Sequence, residues 1–115
     1  MAKVILPNLI ALILLAGCIS RPVEDLIFAE VALKAAQKAK AESLAQETYR
    51  QAENYYLRAK KDYNESYFDS CKNNAHLARR LAEQAEYKSL LKQSQLKNKT
   101  VEEENASSSG GEGSK

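Results

Sequence analysis

Residues 42–87, "ESLAQETYRQAENYYLRAKKDYNESYFDSCKNNAHLARRLAEQAEY", contain neither glycine nor proline and place their small and apolar residues three and four apart. In the first half, Ala45, Tyr49, Ala52, Tyr56, Ala59 and Tyr63 alternate a ring or a methyl at heptad spacing, which predicts a helix over about 44–63. In the second half, Phe68, Cys71, Ala75, Ala78, Ala82, Ala85 and Ser89 repeat the same spacing and predict a helix over about 67–94. Between them, Asp62-Tyr63-Asn64-Glu65-Ser66 is polar enough to turn the chain, with Asn64 as the expected left-handed cap. A seam made of alanines lets two helices approach toward the short end of the usual separation of about 8–10 Å.

Upstream, the pattern continues. Pro22 suits the first position of a helix, and Glu24 and Asp25 complement its dipole, so a first helix is expected over about 23–41. Its stripes Leu26, Ala29, Leu33, Ala36 and Phe28, Ala32, Ala35, Ala39 adjoin to make a broad apolar face. No strong breaker lies between Lys40 and Glu47. Ser43 followed by Gln46 reads as a capping box and sets the second helix start near Ser43, while a single continuous helix is the alternative. The expected fold is all-α, a short antiparallel three-helix bundle over residues 23–96. After Leu96 come "KNK", three consecutive glutamates and "ASSSGGEGSK", so residues 97–115 are expected to be a disordered polar tail.

The N-terminus has a different chemistry. After Met1-Ala2-Lys3, the run Val4–Ile19 is apolar apart from Pro7 and Asn8, shorter than the roughly 20 residues that span a bilayer. Such a short run behind one basic residue has the form of a secretory signal peptide, with an uncleaved anchor as the alternative. Leu15-Ala16-Gly17-Cys18 resembles the lipobox of bacterial lipoproteins. The resemblance implies cleavage between Gly17 and Cys18, a diacylglyceryl thioether on Cys18, and acylation of the new amino group. Several acyl chains, at about 0.8 kcal/mol per buried methylene, anchor firmly where one is marginal. In that family, aspartate directly after the cysteine favours the inner membrane. Ile19 and Ser20 follow here, which implies a periplasm-facing outer-membrane location.

The run Glu42–Tyr87 also resembles an uncharacterised alanine-rich helical family found in small envelope lipoproteins, through Ala52, Ala59, Ala75, Ala78, Ala82, Ala85 and the turn before Phe68. The hairpin it forms is similar to a tetratricopeptide repeat, present in about one and a half copies. Neither resemblance supplies an activity or a binding residue.

The chain carries 17 basic and 15 acidic side chains, a net charge of +2 that falls to +1 when Lys3 leaves with the signal peptide. That balance lacks the basic stripe of a nucleic-acid-binding protein. His76 stands next to seam residue Ala75 and is expected to face water, without the companions a metal site needs. With Cys18 lipidated, Cys71 has no internal disulfide partner, and its seam position marks it as buried and inert. Glu83 and Glu86, near Arg79 and Arg80, read as a solvated charged face. No phosphate loop, cofactor motif or catalytic constellation is found, so the expected role is that of a scaffold or adaptor rather than an enzyme. Tyr55 and Tyr67, off the main stripes, are the candidate contacts for an envelope protein or a second copy. Lys115 ends the chain as the last residue does in the murein lipoprotein family, which makes it a candidate attachment point to peptidoglycan, although "GGEGSK" differs from that family's ending.

Overall fold

A computed structural model describes residues 21–109, all of whose regular structure is helical. Four helices follow in order: α1 Val23–Lys38, α2 Ala41–Leu44, α3 Gln46–Asn64 and α4 Phe68–Ser109. Helices α1, α3 and α4 run up, down and up, and the single turn of α2 makes the corner between the first two. The register follows from the side-chain pairs. Asp25 meets His76, Phe28 lies under Arg79 and Ala39 meets Gln93, so α1 and α4 point the same way. Lys88 donates to Thr48 and Asn74 donates to Asp62, so α3 runs antiparallel to α4.

The seam reads as the spacing predicts. Cys71, Ala75, Ala78, Ala82, Ala85 and Ser89 are all fully buried on α4, facing Ala29 and Ala36 of α1 and Ala52 and Ala59 of α3. The largest fully buried side chains are Cys71 and Ser89, so this core is built from methyl groups held at short range. Only a small residue fits at Ser89, and its hydroxyl is buried without a hydrogen-bond partner. Tyr49 is buried in the half of the core toward the first corner, while Tyr56 and Tyr63 lie half-buried along it and supply bulk where the alanines do not. On α1, Phe28 departs from its expected place in the core. It is 52% exposed, because the buried arc at Ala29, Ala32, Leu33 and Ala36 is already filled, and its ring instead lies 5.5 Å from the Arg79 guanidinium.

The breaks differ from the sequence reading in instructive ways. Lys40, at φ 61°, turns the chain after α1, and its N–H bonds the Gln37 carbonyl. The start of the next long helix is Gln46, and the Ser43 hydroxyl donates to the Lys40 carbonyl instead of capping it, so Ser43–Gln46 is not a capping box. The carbonyls freed at these breaks are taken by α4: Gln93 donates to Ala39 (2.7 Å) and Lys92 to Leu44. At the second turn the left-handed residue is Ser66, at φ 63°, two positions past the expected Asn64. Tyr67 N–H bonds Asp62 C=O (2.8 Å) and Ser66 N–H bonds Tyr63 C=O (3.1 Å), a Schellman motif built without glycine. Asp62 then accepts hydrogen bonds from Ser70 and Asn74, both at 2.7 Å, tying the end of α3 to the first turns of α4.

The expected disordered tail is the largest correction. Residues 97–109 continue α4 as helix, and only 110–115 of the tail lie outside the described residues. Every residue from Ser94 to Ser109 is exposed, so packing does not hold this part. The bundle has already formed the costly nucleus. Extending a helix then costs only propagation, which Lys, Leu, Gln and Glu support.

Candidate functional site

Tyr55 and Tyr67 occupy different places. Tyr55 is half-buried on α3, its ring against the Ala59–Cys71 cluster and the Arg58 guanidinium 5.4 Å from its centroid. It lines a shallow groove between α3 and α4 with Gln51, Leu77, Arg80, Leu81 and Gln84. Tyr67 lies in the α3–α4 turn and is 62% exposed. Nine residues of helix, about 14 Å, separate Tyr55 from the end of α3, so the two rings do not share one patch.

A second groove lies between α1 and α3, where Glu30, Lys34, Glu42 and Glu53 surround Tyr49 and Tyr56. Lys34 holds Glu30 at 2.8 Å, and this contact lowers the Glu30 pKa and raises that of Lys34. Burial pushes the Tyr49 phenol up to about 12, helped by the carboxylates of Glu53 and Glu42. Burial and then Glu30 raise Tyr56 in the same direction. Such phenols are acids that stay neutral, and the open groove has no activated nucleophile beside them.

The Tyr49 shift has a consequence for stability. Below pH 10 the phenol is protonated in both folded and unfolded chains and contributes no pH dependence. Between pH 10 and about 12 the unfolded chain loses the proton and the folded chain keeps it, so stability falls as pH rises. The expected loss from this residue is on the order of 2 kcal/mol. Urea titrations at pH 9 and pH 11.5 should show Tyr49→Phe losing less stability than the parent. Equal losses would mean that Tyr49 ionises as freely in the fold as in the unfolded chain.

His76 is half-exposed, but Nε2 lies 3.2 Å from Asp25 Oδ1 and joins α4 to the first turn of α1. That partner was invisible in sequence, because the two residues are brought together only by the parallel register of α1 and α4. Cys71 is fully buried, and burial, followed by Asp62 and Asp25, raises its thiol pKa, which disfavours the nucleophilic thiolate. Arg79 pairs with Glu83 at 2.8 Å on the surface. Among the described residues no three His, Cys, Asp or Glu side chains converge as a metal site would require. Gly17, Cys18 and Lys115 lie outside the described residues.

Two features of the surface were missed in the sequence. One is the projecting end of α4, with Leu96 exposed seven positions beyond the buried Ser89 and Val101 exposed five positions further, on another face of the helix. The other is the row Val23, Ile27 and Val31 on α1, exposed at i, i+4 and i+8 opposite the alanine stripes. A count of apolar residues outside the core arc would have found both. No described helix is long and apolar enough to cross a membrane. No family model matches the chain, and neither the curated proteins nor the solved structures contain a significant match to it.

Proposed function

We propose that the chain is a lipid-anchored scaffold or adaptor of the bacterial cell envelope, tethered through Cys18 and contacting its partner through the free end of α4. The observation that carries this reading is the mismatch between α4 and the bundle. The helix runs for 42 residues, yet nothing beyond Gln93 is even half-buried. The remaining 94–109 segment is an arm of about 24 Å with unpartnered Leu96 and Val101. It also points away from the anchor, because the start of α1 packs beside Phe68, Asp69 and Lys72 at the opposite end of α4. An exposed helix of this length can lie along a second helix or in a groove over its whole span, with polar as well as apolar contacts.

The arm reading is tested by placing a photoreactive residue at Leu96, Val101 or Arg50 and irradiating intact cells. Arg50 is exposed on the bundle and serves as the reference. The expected outcome is one recurrent envelope protein crosslinked from the arm positions and absent from Arg50. Equal crosslinking from all three would deny the arm a docking role.

A structural reading is favoured by the length of α4 alone, about 63 Å directed away from the anchor, which suits a link between outer membrane and peptidoglycan with Lys115 as its attachment point. Release from sacculi only after muramidase treatment would select it. Neither reading assigns a catalytic step or a cofactor.

A further inference from the structure

The outward face of α1 carries three aliphatic side chains that the bundle does not use. Val23 is 42% exposed, Ile27 52% and Val31 58%, and successive members are one helical turn apart. Lys34 and Lys38 continue the same face toward the end of α1, both exposed. The remaining faces of this helix are occupied. Ala29, Leu33 and Ala36 point into the core, Glu30 faces Tyr56 of α3, and Phe28 lies under Arg79 of α4.

Position selects the occupant of this row. Val23 follows Cys18 by five residues, so the start of α1 can lie no more than about 21 Å from the lipidated sulfur. From Val23 to Val31 the row extends only about 12 Å further. We propose that this face of α1 rests on the lipid surface that holds Cys18, with the aliphatic row at the acyl boundary and Lys38 reaching the headgroups. The proposal rests on the lipidation reading of Cys18 and goes beyond it, since a tether alone leaves the bundle free to rotate.

The chemistry fits a bilayer better than a protein. Three side chains fall far short of the roughly 1,000 Å² that a specific protein interface buries. A surface kept within reach by covalent chains needs no such area, because the tether supplies the effective concentration. Amphipathic helices lie in the interface with an apolar row inward and lysines at the edge, their methylene stems covering apolar surface while the ammonium groups stay wet. The arm of α4, which runs parallel to α1 on the side away from the row and far beyond it, is then held above the surface by the width of α1, with its exposed residues still available.

The test uses the full-length lipidated protein in vesicles of phosphatidylethanolamine and phosphatidylglycerol. In a Cys71→Ala background, one fluorophore is attached at a time through Ile27→Cys, Val31→Cys or Val101→Cys, and nitroxide-labelled lipids serve as quenchers. Probes at positions 27 and 31 should be quenched several-fold more than the probe at 101. In a further variant carrying Val23→Glu and Ile27→Glu, with the probe at Val31→Cys, quenching should fall toward the level seen at 101 while the protein still floats with the vesicles. Equal quenching at 27, 31 and 101 in protein that floats would overturn the proposal. So would quenching of the row only by a nitroxide on a second copy, which would assign the face to self-association. Protein that neither floats nor carries lipid mass on Cys18 would instead remove the lipidation reading on which the proposal stands.

Discussion

Replacing Ala78 with leucine is expected to lower the melting temperature by roughly 5–20 °C, the equivalent of about 1–3 kcal/mol in a domain of this size. Ala78 has no exposed surface and belongs to one buried cluster with Ala29 of α1 and Ala59 of α3, so small residues of three helices pack together around it. Leucine adds three carbon atoms where close packing leaves no room, and the helices can admit them only by separating. Separation is costly here because the same alanine seam runs from Cys71 to Ser89, so a local wedge opens contacts along its length. Cores of this size seldom supply more than about 3–5 kcal/mol, which makes the loss a large share of the total. Leu90→Ala, at a residue 50% exposed, is the matched control and should change stability by no more than about 0.5 kcal/mol. Thermal unfolding followed by circular dichroism reads both variants, and an unchanged melting temperature for Ala78→Leu would mean that the three helices do not meet at that residue.

Cys18→Ser carries the second large effect. Serine keeps the size of the side chain but removes the thiol that would bear the diacylglyceryl group, so incorporation of labelled palmitate should disappear altogether. Cleavage at the Gly17–Cys18 bond should stop with it, and an uncleaved precursor should accumulate. A chain without its lipids loses about 0.8 kcal/mol of anchoring for every methylene that no longer enters a bilayer, so no processed form should remain firmly bound to membranes. Continued labelling of the serine variant would place the lipid elsewhere.

The helices that pack were legible because their spacing and their residue sizes agree. Ala52, Ala59, Ala75, Ala78, Ala82 and Ala85 are fully buried where the heptad count places them. Legibility failed where a single residue takes an unfavourable backbone conformation. Nothing in the side chain of Lys40 or Ser66 announces a φ near +60°, whereas Asn64, which tolerates it better, stays helical. The carbonyls left open at the first break are satisfied by Lys92 and Gln93, more than forty positions away, and no local reading could supply those partners. Composition misled at the tail for a related reason, since an apolar count describes the cost of burying a segment and ignores a helix already nucleated by its neighbour.

The surfaces were less legible than the core. Tyr55 and Tyr67 drew attention as tyrosines off the stripes, yet one packs half-buried against the core and the other stands alone at a turn. Val23, Ile27 and Val31 escaped notice because a broad alanine face on the same helix accounted for its amphipathicity. Leu96 escaped because it continues the seam in phase, and only the length of α1 and α3 reveals that the seam has by then lost its partners.

The most direct test of a lipid-anchored adaptor is the intact mass of the mature chain purified from cell membranes, with fragmentation of its N-terminal peptide. The account predicts a chain beginning at Cys18 that carries a diacylglyceryl thioether on the sulfur and an acyl group on the new amino terminus. A chain that begins at Met1, or one that begins elsewhere and has an unmodified cysteine, would contradict it.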